Sequence, residues 1–128
     1  MMKKLLFVLC LSPLLMATTC DDENHDHHNH PCTTEARAAL NVTVLLNGES
    51  ISSQDGIIVT AKDGSYVEEL ETIGAPYTFS GAYERPGNYV VTVSKAGYQP
   101  FVSGTVHVVR DECHVIPQSL TADLIPNP

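Results

Sequence analysis

Residues 81–101 read GAYERPGNYVVTVSKAGYQPF, a strand bracketed by two turns. Pro86-Gly87 turns the chain into Tyr89–Ser94, where Tyr89, Val91 and Val93 share one side and Val90, Thr92 and Ser94 the other. That period of two is the pattern of a half-buried strand, with the first set facing inward. Ala96-Gly97-Tyr98 makes the next corner.

The same character continues on both sides. Upstream, Leu40–Leu46 alternates in the same way, with Leu40, Val42, Val44 and Leu46 on one face, and Asn47-Gly48 ends it. Ile57–Ala61 is a continuous apolar, β-branched run, Asp63-Gly64 is a tight hairpin signal, and Ser65–Glu71 follows. Tyr77 and Phe79 alternate with Thr78 and Ser80. Downstream, Phe101–Val109 and Cys113–Leu124 complete seven short runs. Pro117 fits an edge or a bulge, because proline cannot donate to a ladder. Residues 35–39 allow a helical turn, and no longer helical period is present. Seven short strands with regularly spaced turn signals predict an all-β fold, a seven-stranded immunoglobulin- or transthyretin-like β-sandwich over residues 35–128.

The pattern Gly87, Tyr89, Val91, Val93, Gly97, Tyr98, with the strand at 57–61 and the closing DECHVIPQSLTADL (111–124), resembles the carboxypeptidase regulatory-like domain. The resemblance covers roughly residues 38–124. It implies a transthyretin-like sandwich that serves as an accessory, folding or binding module in bacterial surface and periplasmic proteins, with no catalytic residues to carry over.

The N-terminus is of another kind. Lys3 and Lys4 precede an apolar run, Leu5–Ala17, which meets the small residues Thr18 and Thr19 and then Cys20. A positive start, a short apolar core and a small-residue exit describe a secretory signal peptide, residues 1–19. A membrane span needs about 20 apolar residues, more than this run offers. Ala17-Thr18-Thr19-Cys20 resembles the lipobox of bacterial lipoproteins, with Ala17 and Thr19 standing where that family usually has Leu and a smaller residue. The resemblance implies lipidation of Cys20 and a membrane partner reached through the anchor, and hence an outer-membrane lipoprotein of the bacterial cell envelope, periplasmic or surface-exposed. Asp21, Asp22 and Glu23 resemble the surface-export signal of some such lipoproteins and are also compatible with a plain spacer.

Cys10 leaves with the signal, so Cys20, Cys32 and Cys113 remain. If Cys20 is acylated, Cys32 and Cys113 are left as a candidate disulfide, closing a long loop worth on the order of 4 kcal/mol in the chain-entropy model. Two unpaired buried cysteines are the alternative.

Asp21–Pro31 reads DDENHDHHNHP, with no apolar residue and no periodicity. Residues 20–34 are therefore expected to form a lipidated, disordered tether. Without Lys3 and Lys4 the chain carries five basic against fifteen acidic residues, a formal −10. Such a charge argues against nucleic acid, which requires cationic patches.

Two groups of histidines suit Zn²⁺, Ni²⁺ or Cu²⁺. His25, His27, His28 and His30 sit among carboxylates in the tether, where the competing reading is a hydrated spacer. If Arg110-Asp111 is a hairpin loop, His107 and His114 face each other with Cβ atoms about 5 Å apart. The competing reading there is two exposed sheet histidines, and two ligands fall short of a structural zinc site. Tyr66, Tyr83 and Tyr98, near turns, are the aromatic candidates for carbohydrate, whereas Tyr77 and Tyr89 read as core.

No nucleophile elbow, P-loop, HExxH or dinucleotide-binding glycine pattern occurs. The expectation is a membrane-anchored binding or structural module without catalytic activity or resident cofactor, its partner another envelope protein or a carbohydrate. The alternative is a metal-binding lipoprotein using the tether and the His107/His114 pair.

Overall fold

The computed structural model describes residues 31–128. The signal segment, Cys20 and the tether histidines His25, His27, His28 and His30 lie outside the described residues. The described chain is all-β, with nine strands: β1 Leu40–Leu46, β2 Glu49–Ser50, β3 Ile58–Asp63, β4 Tyr66–Glu69, β5 Thr78–Gly81, β6 Gly87–Ser94, β7 Phe101–Val102, β8 Val106–Val108 and β9 Gln118–Leu124.

They form two sheets of a β-sandwich. In the four-stranded sheet, β1 pairs antiparallel with β5 and β2 along one edge and parallel with β9 along the other. In the five-stranded sheet, β6 pairs with β3 on one side and with β7 and β8 in succession on the other, and β4 pairs with β3. The inward faces are those set by alternation. Leu40, Val42 and Val44 of β1 meet Val59 and Ala61 of β3, Tyr89, Val91 and Val93 of β6, and Ala122 and Leu124 of β9 in one buried cluster. Each such side chain contributes about 1.5–3 kcal/mol by leaving water.

The strand count corrects the expected seven. β2 is a two-residue pairing across the Asn47-Gly48 turn, too short to show as alternation. The expected Phe101–Val109 strand is divided because Ser103 takes over the ladder: its N–H donates to the Val91 carbonyl (2.8 Å) and its Oγ accepts the Val91 N–H (2.8 Å). The last strand begins at Gln118, not Cys113, because residues 111–114 form a turn and Pro117 follows.

Tyr89 anchors the centre. Its side chain is fully buried, yet its Oη donates to the Arg85 carbonyl (2.6 Å), the tie to an upstream backbone group known as a tyrosine corner. The Arg85 guanidinium donates to Tyr89 Oη (3.0 Å) and Asp63 Oδ2 (2.9 Å), and lies 3.8 Å from the centre of the Tyr66 ring. Gly87 makes this closeness possible: a Cβ there would fall 2.4 Å from Asp63 Oδ2 and 3.0 Å from Arg85 Nη1.

Candidate functional site

A second titratable cluster of the described domain, apart from the one around Arg85, forms where three segments meet: residues 32–37, the 82–86 loop between β5 and β6, and the 109–116 loop between β8 and β9. Asp111 shapes the last of these. Its Oδ1 accepts the N–H groups of Cys113 and His114, both at 2.8 Å, and its own N–H donates to the His114 carbonyl (2.9 Å). An aspartate bonding forward to the backbone builds a turn of its own. The loop therefore spans 111–114, with Arg110 opposite Val115 and the Ile116 N–H on the Val109 carbonyl (2.8 Å).

This register corrects the hairpin expected from Arg110-Asp111, and with it the His107/His114 pair. His107 lies opposite Asn88 of β6 and bonds to the Asn88 side chain, exposed to solvent. His114 turns the other way. It is 6% exposed, the one buried polar or charged residue among those described. Its Nδ1 meets Glu84 Oε1 at 2.7 Å and its Nε2 meets Thr33 Oγ1 at 2.9 Å. Around this loop Val108 and Val115 are buried, while Val106 and Cys113 are half-buried.

Glu84 is held from several sides. The Arg37 N–H donates to Oε1 (2.8 Å), His114 shares that oxygen, and the Val115 N–H donates to Oε2 (3.2 Å). The Arg37 N–H first, then His114 and the Val115 N–H, hold the Glu84 carboxyl below its ordinary range against a smaller opposing effect of burial. The two loop N–H groups, His114's foremost, do the same for Asp111. Glu84 adopts φ 52° and Ala82 φ 54°, left-handed conformations uncommon for residues with a side chain. Local bonds keep them there: the Glu84 N–H donates to the Arg37 carbonyl (2.9 Å) and the Ala82 N–H to Glu68 Oε2 (2.6 Å).

Cys32 and Cys113 are joined by a disulfide across 81 positions, beside Thr33 and His114. The segment expected to be tether up to residue 34 is thus fastened from Cys32 onward. A shallow cavity of about 400 Å³ opens here, lined by Cys32, Arg37, Asp111, Glu112, Cys113 and His114 among others.

Thr33, His114 and Glu84 stand in the order hydroxyl, imidazole, carboxylate. A hydrolase also needs donors for the developing oxyanion. The neighbouring Cys113 and His114 N–H groups are already given to Asp111, so the arrangement acts as a latch and supplies no oxyanion hole from this loop. Among the described residues no three metal-ligating side chains converge. Sequence reasoning missed Glu84 as His114's partner; its one visible signal was an acid next to Arg85 at a turn. No family model matches the chain, and no curated protein sequence matches it.

Proposed function

We propose that this protein is a lipid-anchored, extracytoplasmic module of the bacterial cell envelope that binds or scaffolds through its sandwich and performs no chemistry of its own. The observation that carries the proposal is the cysteine pairing. Cys32, before β1, and Cys113, between β8 and β9, are bonded to each other, so after loss of Cys10 with the signal peptide Cys20 is the cysteine left for acylation. A disulfide belongs in an oxidising compartment, which supports export. Outer-membrane attachment, periplasmic or surface-exposed, follows from the lipobox-like Ala17–Cys20, and a carboxypeptidase regulatory-like identity is supported by the two-sheet architecture around the Gly87–Tyr98 pattern.

Among the described residues no helix is long and apolar enough to cross a membrane, and an acyl anchor supplies attachment without one. A single chain holds weakly, so the triacylated state is the one that would keep the protein at the bilayer. Metal binding, the alternative function, now rests on the tether histidines alone, because His107 and His114 bond to different partners.

Radiolabelled palmitate fed to expressing cells tests the anchor. Label in the wild-type protein and none in Cys20→Ala is the expected result; no label in the wild type, or label that survives the substitution, overturns the proposal.

A further inference from the structure

We infer that the groove between β1–β2 and the 75–78 segment is a binding site for a neutral saccharide. The inference rests on the reading of the chain as a binding module and names the ligand class and the place. The groove measures about 400 Å³ and lies beside β1, between β2 and the segment leading into β5. Half-buried Ile51 and exposed Pro76 give it apolar surface, and the hydroxyl-bearing side chains of Thr43, Ser50, Ser52, Tyr77 and Thr78 line it beside them.

The charge of the lining decides the ligand class. Other depressions in the described domain carry ions: Arg37, Asp111, Glu112 and His114 at the disulfide, and Asp55, Glu69 and Glu71 beside β3 and β4. This groove has no charged side chain at all, in a chain of formal charge −8. An anion would find no cation there and a repulsive surround, and a cation would find no carboxylate. A wholly apolar ligand would strip water from five hydroxyls that, among the described residues, have no protein partner. No buried side-chain polar atom lacks a partner in the described domain, so these hydroxyls are open to solvent. What remains is a neutral molecule rich in hydroxyls with one apolar face. A pyranose ring has that chemistry: its C–H face suits Ile51, Pro76 and the Tyr77 ring, and its hydroxyls exchange water for the groove's own.

The site extends beyond one ring. In register across the sheet, Thr43 of β1 lies between Thr78 of β5 and Thr121 of β9, and Asn41 lies between Ser80 and Ser119. Six uncharged side chains thus form two adjacent rows over three strands, about 10 Å across at the usual strand spacing. Ser80 Oγ donates to Asn41 Oδ1 (2.7 Å), leaving the Asn41 amide N–H₂ group to donate outward. An oligosaccharide can leave the groove along these rows.

Saturation-transfer difference NMR on the full-length protein tests the site, with maltotriose, cellotriose, mannotriose and chitotriose as neutral probes and trigalacturonate as the charged one. Transfer to at least one neutral probe and none to trigalacturonate is expected. Tyr77→Phe and Thr43→Val, each removing one hydroxyl from the groove lining, should weaken that binding about two- to tenfold. No transfer to any neutral probe at millimolar concentration overturns the assignment, as does unchanged binding in both variants. Binding of a neutral peptide such as Ala-Thr-Ala-Ser, lost in Tyr77→Phe while no sugar binds, overturns it in favour of a peptide groove. Palmitate labelling reads the anchor independently, so the two proposals fail separately.

Discussion

Glu84 and Arg85 are consecutive in the chain and serve two clusters of opposite character. Arg85 turns toward the tyrosine corner, between Asp63, Tyr66 and Tyr89, where it lies against two aromatic rings. Glu84 turns toward His114, Arg37 and Thr33 beside the disulfide, where the partners come from segments far apart in sequence. The corner is local and knits β3, β4 and β6 within one sheet. The latch fastens the end of the described domain nearest the tether to the loop before β9. A fixed cation on aromatic faces holds the first together; a covalent bond and carboxylates hold the second. Two adjacent residues of one loop thus serve a local corner and a long-range latch.

The disulfide should give the largest difference. Cys32→Ser with Cys113→Ser, or reduction of the wild type, is expected to remove on the order of 4 kcal/mol, since the bond spans 81 positions. Urea unfolding measures the loss, and near-ultraviolet tyrosine dichroism should remain native in the reduced protein before unfolding. Loss of that dichroism together with the disulfide would mean that latch and corner are one unit.

Gly87→Ala attacks the corner. Its new methyl would fall against Asp63 Oδ2 and Arg85 Nη1, and displacing them should cost roughly 1–3 kcal/mol. Tyr89→Phe is milder: it keeps the ring but removes the hydroxyl that serves Arg85, for about 1 kcal/mol. Both losses should be equal in oxidised and reduced protein if the regions are independent, and a double comparison of urea midpoints reads this directly.

The smallest effect, and the one that separates the regions most sharply, is in pH. Glu84 and Asp111 have folded-state values below the ordinary carboxylate range, so their stabilisation is present above about pH 4 and lost as pH falls through the lowered values. Tyr66 behaves in the opposite sense. Burial first, then Glu68, raises its phenol, so its contribution is present below about pH 10 and lost as pH rises through the raised value. Thermal unfolding from pH 2 to 12 should show the acid limb softened by Glu84→Gln and the alkaline limb by Tyr66→Phe. Exchange of those effects would contradict the assignment of the two clusters.

Much of the fold was legible because alternation reports burial directly. Tyr89, Val91 and Val93 fall on the inner face as their spacing requires, as do Leu40, Val42 and Val44. The two cysteines pair as their number allowed. What alternation does not carry is the length of a loop fixed by side chains bonding to backbone. Asp111 capping two N–H groups widened the β8–β9 loop and turned His114 inward, and Ser103 interrupted a run that reads as continuous. The parallel pairing of β1 with β9 joins opposite ends of the domain, and no local signal specifies it. Tyr77 reads as core because it alternates with Phe79, yet it is half-buried at the rim of the groove.

The most direct test of the account is mass spectrometry of the protein extracted from membranes without reduction, with peptide mapping of both ends of the described disulfide. The account predicts a mature N-terminus at an acylated Cys20 and a single cross-linked peptide pair containing Cys32 and Cys113, with no free thiol. An unmodified Cys20, a different first residue, or a bridge from Cys20 to either of the other two would contradict it.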